Sequence, residues 1–321
     1  MKRLLGFLLV SMLVWACTEA PQQEQTEAEP ATQVTQIEAY SLDGKELKRI
    51  PDSPATFRKK DSLLKIAKTA VEADPENLDN IIWHGRRTAY LSRYNDAIDI
   101  YTEGLKKHPD SPELYRHRGH RYISIRKFEE AIADFEKAAE LAKDRQIEIE
   151  PDGLPNKLNI PLSSLQFNIW YHLALAHYLR ADFVAAAKAW EKCMVFSVNP
   201  DLQCATSDWL YMTYLRIGEE ERAKKLLDAI TPDMLIIENA AYHQRLLMYK
   251  GLVQPEELLD FENADMESRI SIVTQGYGVG NYWLAKGEKE KALQIFQKVI
   301  ETGYWSAFGY IAAEVDLYLA R

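Results

Sequence analysis

The stretch Tyr115–Tyr122, YRHRGHRY, places Arg116, His117, Arg118, His120 and Arg121 almost side by side. Arginine offers planar, bidentate donors to carboxylates and phosphates, and histidine titrates near neutrality. Such a composition suits an anion site or acid–base chemistry. On an ordinary solvated helix the same cations would pair with neighbouring acids at little gain in energy, and Asp99 and Glu103 are candidates for that pairing. Metal ligation would need a further acid or histidine converging on His117 and His120, or on His172 and His177. No HExxH or CxxC spacing is present, so neither a metal nor another cofactor is expected. GYGVG, Gly276–Gly280, has the glycine content of a nucleotide loop but follows no strand, and reads as helix packing or a helix break. With no nucleophile elbow or phosphate loop, enzymatic activity is not expected. The alternative that retains chemistry makes His120 an acid or base beside a carboxylate.

The remaining composition narrows the setting. Lys2 and Arg3 precede an apolar run, Leu4–Trp15, which is short for a bilayer span and predicts an export signal over residues 1–16. The segment Val14-Trp15-Ala16-Cys17 resembles the lipobox of bacterial lipoproteins, although Trp15 is unusual there. That resemblance implies lipidation of Cys17, with palmitate-type acyl chains, and a place in the bacterial cell envelope, at the outer membrane facing the periplasm. A plain signal cleaved after Ala16 is the alternative. Residues 17–57, rich in Glu, Gln, Thr, Ala and Pro, predict a flexible tether. No other segment is apolar enough to cross a membrane, so membrane contact is expected through the lipid alone. A formal net charge of -9 argues against nucleic acid as a partner. Cys193 and Cys204 are expected on consecutive helices, either disulfide-bonded or as free buried thiols.

The elements that carry these residues emerge from an internal repeat. Pro75 and Pro109, Gly85 and Gly119, Tyr94 and Phe128, Ala97 and Ala131, Tyr101 and Phe135, and Gly104 and Ala138 are each 34 residues apart. Small residues let two antiparallel helices approach, aromatics fill the space beside them, and proline ends the second helix. The pattern resembles the tetratricopeptide repeat, which implies an all-α superhelical solenoid over residues 58–321. The repeats read clearly at 78–111, 112–145, 167–200 and 273–306, and in degenerate form at about 204–237 and 239–272. A lone helix from about Phe57 to Ala73 precedes them, Tyr310–Leu319 closes the chain, and residues 146–166 form an insertion.

The resemblance also implies binding of proteins or peptides along a concave groove. Residues one after the packing glycine and three before it face that groove in this family. Here they are Arg86 in one unit, and His120 and Arg116 in the next; Arg87 and Arg121 lie one position further on. Arg118 falls at a usually apolar position and is expected to be partly buried against an acid. Asn168 and Tyr171 occupy groove positions of the third unit. The insertion is too apolar for simple disorder, with Ile147, Ile149, Leu154, Leu158, Ile160 and Leu162, and is expected to pack on the solenoid, over the groove or as an outer spacer. The expected function is a membrane-anchored adaptor that binds a protein or peptide, through an acidic segment, on Arg86, Arg116 and His120. The alternative is a binding lipoprotein for a small anionic ligand covered by the insertion. The oligomeric state is not legible.

Overall fold

A computed structural model describes residues 36–259, 261 and 269–321. The export signal, Cys17 and the first part of the tether lie outside the described residues. The chain is helical almost throughout. A lone helix α1 (Pro54–Ala73) is followed by antiparallel pairs: α2 (Leu78–Tyr90) with α3 (Tyr94–Lys107), α4 (Pro112–Ser124) with α5 (Phe128–Ala142), and α6 (Leu165–Leu179) with α7 (Phe183–Val195). Then come α8 (Pro200–Arg216) with a short α9 (Glu220–Leu226), α10 (Ala240–Tyr249) with a single 3-10 turn, α11 (Arg269–Ala285) with α12 (Lys289–Glu301), and the closing α13 (Phe308–Leu319).

The helix starts are written locally. Ser53-Pro54, Ser111-Pro112 and Asn199-Pro200 each combine a side-chain cap with a proline that needs no donor in the first turn. Within the pairs, the turns use a left-handed residue: Ser92, Arg126, Ala181, Gly218 and Gly287 all have positive φ, from 57° to 82°. Only the last two are glycine, so the other turns hold a non-glycine in a conformation that packing must enforce.

One contact recurs in every well-formed pair. The small residue of the first helix meets an aromatic sixteen residues later: Gly85 with Tyr101, Gly119 with Phe135, Gly280 with Phe296. A Cβ on Gly119 would stand 3.0–3.2 Å from the Phe135 ring, so glycine sets the separation of α4 and α5 there. Ala174 and Trp190 hold the equivalent places in the third pair, both fully buried. In GYGVG, Gly280 and Gly276 admit Phe296 and Val299, while Gly278 makes room for the buried Arg245 side chain. Helix α11 runs unbroken through these glycines. Arg245 forms a fully buried ion pair with Asp208 of α8 and donates to the Thr274 carbonyl.

The stretch expected as tether over 17–57 is structured in its second part. Strands β1 (Ile37–Tyr40) and β2 (Glu46–Lys48) form an antiparallel hairpin. Glu38, 4 % exposed, accepts the Tyr94 and Asn95 backbone N–H groups at 2.9 and 3.1 Å and so caps α3. On the other side, Leu42 N–H donates to Glu314 of α13 at 2.7 Å, and Trp305 Nε1 donates to the Lys48 carbonyl at 2.6 Å. The hairpin therefore joins the first repeat to the last helix. Arg126, in the α4–α5 turn, meets Glu314 at 2.6 Å, and Arg216, ending α8, meets Asp316 at 2.6 Å. Helix α13 is buried from Gly309 to Asp316 and contacts α6, α11 and α12, so the solenoid's own last helix occupies its concave side.

Candidate functional site

The basic stretch lies on α4, and its side chains divide among different environments. Arg118 makes a bidentate pair with Asp134 of α5, at 2.8 and 2.7 Å, and donates to Thr102. The partial burial and acid partner expected of it are present, while Asp99 and Glu103, the acids offered for Arg86, Arg116 and His120, form no ion pair with them among the described residues. Glu103 pairs with Lys106 instead.

Arg116 was expected to be open to the groove. It is 11 % exposed, and its Nη2 meets Glu150 of the insertion at 2.9 Å. Glu150 is also held by Asn168 Nδ2, which donates in addition to Ser163 at 3.0 Å. The neighbouring backbone extends the same contact. Arg86 donates to the Pro151 carbonyl at 3.0 Å and Arg87 to the Gly153 carbonyl at 3.1 Å, while both guanidiniums lie over the Trp83 ring. The base of the insertion is closed by antiparallel bonds, Glu150 N–H to Ser163 O at 3.0 Å and Leu165 N–H to Glu148 O at 2.8 Å. Arg86, Arg87, Arg116 and Asn168 therefore form one wall, and an extended segment of this chain already lies on it.

Tyr171 does not join that wall. It is buried, and its hydroxyl reaches Tyr242 of α10 at 3.1 Å. His120 does not present a titratable face either. Its ring lies 4.4 Å from His172 and 5.3 Å from Phe308 of α13, centroid to centroid. Burial, then the Arg121 charge, pushes His120 well below the ordinary histidine range. His117 is depressed in the same way by burial and then by Arg116. Its Nδ1 lies 2.9 Å from an Arg116 nitrogen, which can only donate, so Nδ1 accepts and the ring is neutral. His172, whose Nδ1 donates to the Asn168 carbonyl at 2.6 Å, is pushed down to about 3 by burial and Arg116. The histidines of this region thus act as neutral packing rings. His117 Nε2 stands 3.8 Å from Glu150, too far for a hydrogen bond, and no carboxylate is recorded against His120 among the described residues. Among those residues no group of three His, Cys, Asp or Glu side chains is placed to hold a metal ion.

The insertion departs from expectation in its side chains. It packs through polar and backbone groups, whereas Ile147, Ile149, Leu154, Leu158 and Ile160 are exposed, Leu154 at 73 %. Only Leu162 of the expected apolar set is buried. Glu150, Trp83 and Glu38 were not legible as site residues. Glu150 offered a faint signal, a lone acid between apolar residues and a proline. Cys193 and Cys204 are both free and buried, with Cys193 Sγ 3.5 Å from the Thr206 hydroxyl.

Among solved structures, a tetratricopeptide repeat protein from Parabacteroides merdae is 16% identical over 78% of this chain and 89% of its own, with a TM-score of 0.47. YrrB, described as a TPR protein with an unusual peptide-binding site, is 15% identical over 74% of this chain and 91% of its own, at 0.42. MamA is 18% identical over 62% of this chain and 89% of its own, at 0.41. The helix pairs of this chain, with a small residue on one helix against an aromatic sixteen residues on, resemble the tetratricopeptide repeat. No family model and no curated protein matches the chain.

Proposed function

We propose that this chain is a lipid-anchored scaffold of the bacterial envelope that recruits a protein partner through the insertion at 146–166. One observation carries the reading: the insertion turns its carboxylate and carbonyls inward onto Arg86, Arg87, Arg116 and Asn168, and leaves Ile147, Ile149, Leu154, Leu158 and Ile160 in solvent. A solvated spacer does the reverse, since exposed aliphatic clusters are selected against unless something covers them. The arginine wall serves to hold this loop in one shape, which lowers the entropy lost when a partner docks. Of the residues expected to take a partner's acidic segment, Arg116 holds Glu150 of this chain, Arg86 holds the Pro151 carbonyl, and His120 packs against His172 and Phe308. Membrane attachment through Cys17 rests on the lipobox-like segment ahead of the fold.

The test places a photo-crosslinking amino acid at Leu154, at Leu158 and, as control, at exposed Glu129 on α5, in the full-length protein within intact envelopes. The same single partner crosslinking from 154 and 158 but not from 129 supports the reading. Equal crosslinking from all three positions, or none from 154 and 158, overturns it.

A further inference from the structure

A cavity of about 310 Å³ lies between the N-terminal helices and the chain that leads into α13. Lys60 of α1, Tyr90 and Ser92 at the end of α2, Arg121 of α4, and Tyr304 and Ser306 ahead of α13 line it, with exposed Leu154 of the insertion at its edge. The volume falls at the small end of ligand-binding sites, which span about 300–1,000 Å³.

The charges around this space do not cancel. Lys60 is neutralised by Asp52, at 2.6 Å. Arg116 is neutralised by Glu150. Arg121 is half-buried, and its guanidinium lies over the face of Tyr94, 5.4 Å away. No carboxylate pairs with it among the described residues. The histidines that feel its charge, His117, His120 and His172, are held neutral and supply no anion. A guanidinium at a cavity wall with no carboxylate partner among the described residues can give its planar pair of donors to an anion that enters. Apart from the Asp52 carboxylate already paired with Lys60 and a few apolar side chains such as Ile50 and Ala89, the lining is serine and threonine hydroxyls and tyrosine rings, which offer hydrogen bonds and flat apolar faces to a hydroxylated body.

We propose that this cavity binds a small organic anion of about monosaccharide size, its carboxylate or phosphate held by Arg121 and its hydroxylated body packed against Tyr90 and Tyr304. The cavity shares Leu154 with the insertion's exposed face, but Arg121, Tyr90 and Tyr304 belong to other segments, so anion binding is tested independently of protein recruitment.

Titration calorimetry on the full-length protein in detergent, with glucuronate and with glucose 6-phosphate as probes, tests this. Glucose and inorganic phosphate serve as controls. Saturable binding of at least one probe is expected, stronger than that of either control. Loss of a charge-assisted contact makes Arg121→Gln about 10- to 100-fold weaker, with Arg121→Lys between the two. Arg121→Gln loses no ion pair, so its melting temperature should hold or rise. If it melts early instead, Ser306→Phe decides the matter, because it fills the cavity and leaves Arg121 in place: it must abolish binding. No saturable heat with either probe, inorganic phosphate binding as tightly as glucose 6-phosphate, or unchanged affinity in Ser306→Phe would each overturn the proposal.

Discussion

Arg116 and Glu150 supply the sharpest test of how the insertion is fixed. Their side chains are 11 % and 13 % exposed, and their atoms meet at 2.9 Å. Arg116 Nε has no further acceptor among the described residues, so the pair leans on this contact. Replacing Glu150 by Gln leaves a buried guanidinium without its counter-charge, which costs about 3–5 kcal/mol. In a chain of 321 residues 1 kcal/mol moves the melting temperature by about 1.5–2 °C, so a fall of roughly 4–10 °C is expected. Replacing both partners, Arg116→Met with Glu150→Leu, removes the charge and its desolvation together, and should restore stability to within about 1 kcal/mol of wild type. Urea unfolding of the wild type, Arg116→Met, Glu150→Leu and the double variant, followed by tryptophan fluorescence, closes the cycle. Arg116→Glu should be worse than either single removal, since it sets two carboxylates against each other in a half-dry site. If Glu150→Gln unfolds within 0.5 kcal/mol of wild type, as surface pairs do, then the insertion is not held by this pair and the argument for a fixed loop fails.

The neutral histidines predict an acid sensitivity with a definite sign. His117, His120 and His172 have folded-state values below the ordinary 6.5, so the unfolded chain takes up protons first as pH falls, and stability present above about 6.5 is lost below it. Arg86, Arg116 and Arg121 oppose their protonation, while Glu150 faces His117. Each histidine adds to this loss as pH falls below about 6.5. His120→Phe keeps the ring stack and should make the dependence of stability on pH shallower below about 6.5; an unchanged slope refutes the assignment. Glu38→Ala removes the cap of α3 and the partner of Arg49 at 2.7 Å, and should cost about 2–4 kcal/mol by urea unfolding, while a loss below 0.5 kcal/mol would mean that the hairpin is not docked.

What the sequence carried by itself is whatever depends on neighbours within one repeat. The 34-residue spacing of Gly85 and Gly119 with Tyr101 and Phe135 marks helix pairs, because a small residue and an aromatic sixteen positions apart meet only when two helices fold back on each other. Ser-Pro and Asn-Pro starts mark the boundaries for an equally local reason. The burial and acid pairing of Arg118 follow from its helical phase alone. Tertiary structure decided everything that joins distant segments. Nothing near Ile37–Lys48 indicates a hairpin, since two short strands gain their burial only by docking between α3 and α13. Nothing near Arg116 shows that its anion sits 34 residues on, in a loop held in place by Arg86 and Arg87 of the preceding repeat. His120 reads as titratable by type, and becomes a neutral ring because His172 and Phe308 arrive from other repeats and exclude water. Residue type fixes what a side chain is able to do; whether it does so depends on the solvent and charges that the rest of the chain leaves around it.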